Sequence, residues 1–368
     1  MKKKQTLHIV TILCFAGVLG ILSLWNVFAE KKTVSWNENR TLAAAPELTP
    51  SHIFGGRFDD DFENWFSDHF VNRDFWIELK AMMRRVTLSI ENNDIYFAQG
   101  ERLVSRFDKV NEDALKANAE IICGFAEDHH TTANVLLVPT AAWGAKRSLP
   151  YGAWDMDQPK LLAALKESFP GQNVVDYLSV AEAEPNLYFR TDHHWNEQGA
   201  YLGYAAICRQ VLNKEPNRFS YEPASDQFIG TMYSRSGAFW VTPDTVYTIL
   251  PEQPLHTTVT FEDGSTLDSI YSVRRLEEKD KYTYYADGNH ARADIHTDCG
   301  TGRRAVIIKD SYSHILLPYL ISEYEDILLI DLRYYHDPVS DLLQDNDDLY
   351  FIYSLDNFST DPNLAFLR

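Results

Sequence analysis

Two short segments of the 368-residue chain carry residue types that, brought together, can perform nucleophilic chemistry. One is Arg190-Thr191-Asp192-His193-His194-Trp195-Asn196, and the other is Ile307-Ile308-Lys309-Asp310-Ser311-Tyr312-Ser313-His314. In the second, a continuous apolar run ends in Asp-Ser where a helical pattern begins. A serine at the carboxyl end of a parallel strand lies where open α/β sheets form their crevice. Its own N–H and the amino-terminal dipole of the helix then point at a developing oxyanion. A free hydroxyl is a weak nucleophile near neutral pH and needs a base. His194 suits that role, with Asp192 holding the imidazole in the correct tautomer and stabilising the imidazolium. Residues two apart share one side of an extended backbone, so Asp192 and His194 go together and His193 faces away.

Each of these residues also has a plainer reading. Asp192 can cap the helix that opens near Asn196, His193 can be a surface or cap residue, and Ser311 can cap its own helix. Both segments fall at strand-to-helix junctions, and that shared placement favours the chemical set Asp192, His194 and Ser311. A metal site is the rival chemistry, with Asp192, His193, His194, His314 and His336 as oxygen and nitrogen donors. Adjacent His193 and His194 do not easily reach one ion, and no His-x-x-x-His pair lies on a helix. No metal and no cofactor is expected.

The elements that must position these residues follow from apolar spacing. Residues 134–139 (NVLLVP), 173–178 (NVVDYL), 304–309 (RAVIIK), 326–331 (DILLID) and 349–354 (LYFIYS) are continuous apolar runs of strand length. Such runs suit strands covered on both faces, as in a parallel sheet. Helical patterns occupy 111–127, 157–168, 196–211 and 313–324. The expected fold is therefore α/β, an open, mostly parallel sheet with crossover helices. From about residue 230 to 296 the chain is rich in Thr, Tyr, Val and turn residues. Runs at Val246–Thr248, Thr257–Phe261, Ser269–Val273 and Tyr282–Tyr285 predict antiparallel hairpins inserted into the α/β domain. Upstream, Phe58, Phe62, Trp65, Phe66, Phe70, Phe75, Trp76 and Leu79 recur at helical spacing, with a break near Asn72-Arg73-Asp74. The expected divisions are 1–30 as an N-terminal helix, 31–56 as a linker and 57–368 as the α/β domain.

Hydrophobic residues make up 45% and charged residues 24%, which excludes disordered, collagen-like and disulfide-scaffold classes. Net charge is −19, and such an acidic body repels phosphate backbones, so no nucleic-acid partner is expected. The amino terminus differs: Lys2-Lys3-Lys4 precede an apolar run from about Thr6 to Ala29, long enough to span a hydrocarbon core of ~30 Å. Lysines before the run and acids after it put the body outside the cytoplasm. An uncleaved signal-anchor is favoured over a cleaved signal ending in Val27-Phe28-Ala29. Of the four cysteines, Cys14 lies in this run, Cys123 and Cys208 sit in apolar helical patterns as core residues, and no spacing resembles a zinc site.

Thr191-Asp192-His193-His194-Trp195 resembles the signature of the DHHW protein family, itself similar to the SGNH-hydrolase-like domain of the alginate O-acetyltransferases. The resemblance extends over ordered blocks: Glu38-Asn39-Arg40-Thr41-Leu42, Gly56-Arg57-Phe58, Asp68 to Arg73, Leu136 to Thr140, Asp287-Gly288-Asn289-His290, Lys309 to Tyr312 and Asp331 to Tyr335. It implies Asp192 and His194 from an Asp-x-His-Trp motif and Ser311 from a later Asp-Ser motif as the catalytic set. The order is reversed relative to ordinary SGNH hydrolases, which implies a permuted topology. Lys309 stands where the usual motif has glycine, placed either to repel a cationic substrate or to pair with an acid. For the second oxyanion donor the candidate is Asn289, otherwise a turn residue. Arg333 would face the crevice and bind an acetyl carbonyl or a sugar hydroxyl, or else pair with Asp331. Tyr312 lines the acyl pocket or simply packs.

The leading expectation is an extracytoplasmic O-acetyltransferase-like protein, moving an acyl group through a Ser311 ester onto hydroxyls of an exopolysaccharide or cell-wall glycan. The resemblance implies a membrane-bound O-acyltransferase as the acyl-donor partner. A secreted carbohydrate esterase shares the same set with water as acceptor. A noncatalytic glycan-binding or assembly scaffold is the third reading, with Trp143, Trp154 and Trp240 holding sugar rings.

Overall fold

The computed structural model describes residues 2–37 and 40–367; Glu38 and Asn39, two of the residues that carry the family resemblance, lie outside them. The chain divides into two compact units, Met1–Thr87 and Leu88–Arg368. In the first, helix α1 (Lys2–Phe28) contains an apolar stretch, His8–Phe28, of 21 residues and mean hydropathy 2.1. That is long and apolar enough to cross a bilayer. The aromatic stripe forms α2 (Phe58–Asp68) and α3 (Arg73–Val86), broken where Asn72 adopts φ 52°. Asp68 accepts from the Arg40 guanidinium and from the Ala43 amide. The Arg40 hydrogen bond, set against burial, holds its carboxyl down at about 2.

The second unit is built on an eight-stranded sheet. In chain order its strands are β1 (Ala133–Val138), β2 (Asn173–Val174), β3 (Thr257–Phe261), β4 (Thr266–Leu267), β5 (Arg292–Thr297), β6 (Arg304–Lys309), β7 (Asp326–Ile330) and β8 (Asp348–Ser354). Their spatial order is β4-β3-β5-β7-β6-β8-β1-β2. The run from β7 to β2 is parallel, and β5, β3 and β4 continue it as an antiparallel edge.

Alternation along the central strands explains why they are apolar throughout. Ala305 and Ile307 of β6 face one core with Leu136 of β1 and Tyr204, Ile207 and Cys208 of α6 (Glu197–Gln210). Val306 and Ile308 face the other, with Val135 and Leu115, Ala119 and Ile122 of α4 (Glu112–Asp128). Helix α5 (Gln158–Lys166) lies on that second face through Leu165. Both faces are covered, so no polar face remains to break the apolar run.

The expected α/β architecture is present, with differences in detail. The β-rich segment does not stand apart: β3, β4 and β5 extend the main sheet, while Phe219–Phe228 and Asp244–Pro251 pair as a separate ribbon. Ser269–Val273 and Tyr282–Tyr285 are not strands; Lys281–Tyr284 is a 3-10 turn started by the Asp280 carboxylate. The expected strand 173–178 is only two residues long before Asp176 caps another 3-10 turn. The expected helix 313–324 is a 3-10 segment, Ser311–Leu316, followed by the single turn Leu317–Leu320. Pro318 sits in the first turn of that helix, where its missing N–H costs nothing.

Candidate active site

Strand β6 ends at Lys309, and the chain turns at once into the 3-10 segment. The cap of that segment is Asp310, not Ser311: the Asp310 carboxylate accepts from the amides of Tyr312 (2.9 Å) and Ser354 (2.8 Å) and from Asn357 Nδ2 (2.7 Å). Ser311 is thus the first residue of the turn, its hydroxyl is not used for capping, and its amide makes no hydrogen bond among the described residues. That leaves an N–H at a helical amino terminus free to meet negative charge.

The Asp192 segment is held on the facing side. Asn196 caps α6, accepting from the amides of Gln198 and Gly199, so Asp192 is not that helix's cap either. Its Oδ2 instead accepts from Thr231 N (2.8 Å) and Thr231 Oγ1 (3.0 Å). A Cβ at Gly230 would lie 2.3 Å from Asp192 Cβ, so only glycine lets that backbone come so close. Asp192 Oδ1 lies 2.5 Å from His194 Nδ1, and His194 Nε2 lies 2.8 Å from Ser311 Oγ. Asp192, His194 and Ser311, far apart in sequence, therefore form one hydrogen-bonded chain. His193 does not face away as expected: its ring packs on that of His194 at 3.9 Å, and its Nδ1 lies 3.0 Å from Thr231 Oγ1 and 3.3 Å from Asp192 Oδ1.

Trp195 braces the two segments. Its indole Nε1 donates to Tyr312 O (2.7 Å), and its fully buried ring lies against Gly203 of α6, where a Cβ would come within 2.6 Å of the ring. Tyr282 is a further part of the site that sequence reasoning missed. Its ring stacks on His194 at 3.8 Å with planes 9° apart, and its hydroxyl donates to Ser311 O (2.8 Å). Tyr282 lies in a 3-10 turn 29 residues before Ser311, and no local pattern marks it. Tyr312 is buried against the His194 ring at 5.1 Å, with its hydroxyl on His193 O.

Charge is distributed to keep the histidine neutral. Burial, together with the neighbouring His193, holds His194 at about 4 against the pull of Asp192. Asp192 is itself buried, yet its histidine partners keep it well below the usual carboxylate range. A neutral imidazole whose Nδ1–H donates to a carboxylate presents a lone pair at Nε2, as a general base requires. A histidine NMR titration should accordingly show His194 still neutral at pH 5, whereas an inflection near 6.5 would contradict this. Its folded-state value is depressed, so the unfolded chain binds the extra proton between about 6.5 and 4, and this group removes stability as pH falls through that window.

The other expected site residues are placed differently. Arg333 pairs with Asp331 through Nε (2.8 Å) and Nη2 (2.5 Å), and Nη2 also donates to Asn289 Oδ1 (3.1 Å). Asn289 is exposed, and neither it nor Arg333 hydrogen-bonds Asp192, His194 or Ser311 among the described residues. Lys309 faces neither substrate nor solvent. It is 1% exposed, with Nζ at 2.9 Å from Asp331 Oδ2 and 2.8 Å from His314 Nε2. Pairing with an acid, not repulsion of a substrate, is what this lysine does. Removing one member of a buried ion pair leaves the other uncompensated. Lys309→Met should therefore cost about 3 kcal/mol, the lower end of the usual range, because Arg333 still pairs with Asp331. A urea denaturation midpoint unchanged by the substitution would refute this.

The metal-donor set is also resolved geometrically. Ligand atoms of Asp192, His193 and His194 lie within 4.8 Å of one another, but both nitrogens of His194 and Nδ1 of His193 are committed to hydrogen bonds. His314 is engaged by Lys309, and His336 packs on Phe366. Trp143 is a core residue against Tyr177, not a sugar platform; Trp154 is exposed, and Trp240 packs on Phe97 and Phe239. Cys208 is buried in the core, while Cys123 is only partly covered.

Comparison with known proteins agrees with this architecture. Residues 170–330 match the DHHW protein family model. A DHHW family protein from Eubacterium siraeum superposes with TM-score 0.62 at 21% identity, covering 75% of this chain and 96% of that one. Bacillus cereus PatB1, solved with a sulfonyl adduct, gives TM-score 0.59 at 21% identity, covering 74% and 100%. A weaker likeness, TM-score 0.46 at 14% identity over 74% and 95%, is to the O-acetyltransferase domain of Pseudomonas putida AlgJ. No curated protein matches the chain in sequence. The matched stretch spans both chemical segments, and the family it resembles is the one read from the motifs.

Proposed function

We propose that this chain is a membrane-anchored, extracytoplasmic serine acyltransferase that passes an acetyl group through a Ser311 ester to hydroxyls of a cell-surface polysaccharide. The observation that carries the reading is the hydrogen-bonded chain from buried Asp192 through neutral His194 to Ser311 Oγ. His194 Nε2 takes the Ser311 proton as Oγ attacks the acyl carbonyl, and Asp192 stabilises the imidazolium so formed. The Ser311 amide receives the carbonyl oxygen as it becomes negative, with Asn289 Nδ2 as the proposed second donor, its Oδ1 being turned to Arg333. His194 then returns the proton to the leaving oxygen, and an acceptor hydroxyl repeats the sequence in reverse. Acetyl as the group and a glycan as the acceptor rest on the motif resemblance, and the apolar helix His8–Phe28 supports a membrane anchor.

The test is direct. The full-length chain in detergent, treated with p-nitrophenyl acetate, should carry one acetyl group mapped to Ser311 by mass spectrometry. A sulfonyl fluoride, chosen because PatB1 was solved with a sulfonyl adduct, should block that labelling. No adduct and no nitrophenol release would overturn the reading.

A further inference from the structure

Beside the Asp192–His194–Ser311 chain lies a cavity of about 280 Å³, walled by His193, Tyr312, Phe107 and Arg235 and by residues at the carboxyl ends of two parallel strands. Thr140 follows β1, and Ser354 and Asn357 belong to the end of β8 and the turn after it. These two strands, with β6 carrying Ser311, are neighbours in the parallel part of the sheet. The cavity is thus at the end of the sheet where open α/β folds take ligands. It reaches the nucleophile by two routes: Tyr312 is the next residue, and the Ser354 amide and Asn357 Nδ2 both bind the Asp310 carboxylate that caps the Ser311 turn. Neither Ser311 nor His194 lines it.

His193 gives the cavity a defined polarity. Thr231 Oγ1 donates its proton to Asp192 Oδ2 (3.0 Å), so towards His193 it can only accept. His193 Nδ1 must then carry a hydrogen; it also lies 3.3 Å from the buried Asp192 carboxylate, which favours the charged ring, and in that ring Nε2 carries a hydrogen as well. That nitrogen has no partner among the described residues, and the side chain is 35% exposed. A hydroxyl oxygen is what such an N–H binds. The volume sits near the lower end of small-molecule sites, about 300 Å³, which is room for one sugar ring. Phe107 and Tyr312 supply apolar wall, and the Arg235 guanidinium, on an exposed side chain, supplies donors.

We propose that this cavity is the acceptor subsite: it seats one sugar ring of the glycan, with His193 Nε2–H donating to a ring hydroxyl oxygen while a neighbouring hydroxyl attacks the Ser311 ester. This rests on the acyl-enzyme reading above and adds where the acceptor sits. In the step itself, the attacking oxygen forms a bond to the acyl carbon and gives its proton to His194 Nε2. The bond from that carbon to Ser311 Oγ breaks, and Oγ recovers the proton from His194. His193 holds the acceptor and takes no proton.

The experiment separates the two half-reactions in the full-length chain, with p-nitrophenyl acetate as donor and β-linked glucose and N-acetylglucosamine tetrasaccharides as acceptors. His193→Leu removes the hydrogen-bonding nitrogen at similar volume, and Ser105→Trp fills space at a lining residue that is no part of the Asp192–His194–Ser311 chain. Ser105→Trp should form the acetyl adduct at a rate within about threefold of wild type, while in both variants the ratio of acetylated sugar to free acetate falls at least tenfold. An unchanged ratio in both would overturn the subsite and leave the acyl-enzyme intact. A second readout does not depend on acylation: saturation-transfer NMR on the Ser311→Ala chain should detect both tetrasaccharides or one of them, and the added Ser105→Trp should abolish the signal. Failure to bind either sugar, or binding that survives Ser105→Trp, overturns the proposal whatever the outcome with p-nitrophenyl acetate.

Discussion

Ser311→Ala is expected to abolish the acetyl adduct and to lower p-nitrophenyl acetate turnover at least about a thousandfold, the scale on which loss of a nucleophile acts in a concerted set. The fold should be untouched. Among the described residues Ser311 Oγ bonds only His194 Nε2, whereas the turn is held by Asp310 and by Tyr282 and Trp195 gripping the backbone carbonyls of Ser311 and Tyr312. His194→Ala keeps the hydroxyl but removes the base, and it should lose the adduct on the same timescale. An adduct that persists in both variants, on a residue other than Ser311, would show that the hydrogen-bonded chain is not the reacting site. An adduct retained in His194→Ala alone would show that Ser311 reacts without this base.

Asp192→Asn should cost nearly as much, on the order of 10³–10⁴ in turnover, for a reason particular to this site. Thr231 N and Thr231 Oγ1 both donate to Oδ2, while the His194 amide donates to Oδ1 (3.1 Å); an asparagine that turns its carbonyl oxygen to the Thr231 pair leaves the His194 amide without its acceptor. The asparagine NH₂ group then faces His194 Nδ1, which can only accept from it. The ring proton moves to Nε2, where it points at Ser311 Oγ instead of receiving that proton. The defect is one of tautomer, so thermal stability should fall far less than activity. NMR of the ring nitrogens should report the exchanged tautomer. A variant that retains a tenth or more of wild-type turnover would mean that Asp192 acts mainly as the anchor of Thr231 and not through His194.

The pairing of Asp192 with His194 was legible because the two are neighbours in sequence. The chain bends through residues 190–194 instead of running extended, so His193 packs on His194 and approaches Asp192; His194 is nevertheless the histidine on Ser311. Strands β1, β6, β7 and β8 were legible because burial on both faces leaves an uninterrupted apolar signature. The sequence misled where several geometries share one composition. Tyr282–Tyr285 reads as strand by propensity, yet an aspartate in front of it starts a 3-10 turn and frees Tyr282 to cover His194. The apolar run after Ser311 reads as an ordinary helix, but only short turns fit between its cap and Pro318.

By itself, then, the sequence determined the central strands, the apolar amino-terminal helix and the pair Asp192/His194, because each follows from spacing within a few residues. Only the tertiary structure decided the partners of the buried charges. Lys309 in the Asp-Ser motif pairs with Asp331, 22 residues on, and that same carboxylate commits Arg333. Gly230 had no reading until the Asp192 side chain was found against it. A buried charge or a close backbone approach is fixed by what arrives from elsewhere in the chain, and the cost of leaving it unmatched is set by the whole packed environment.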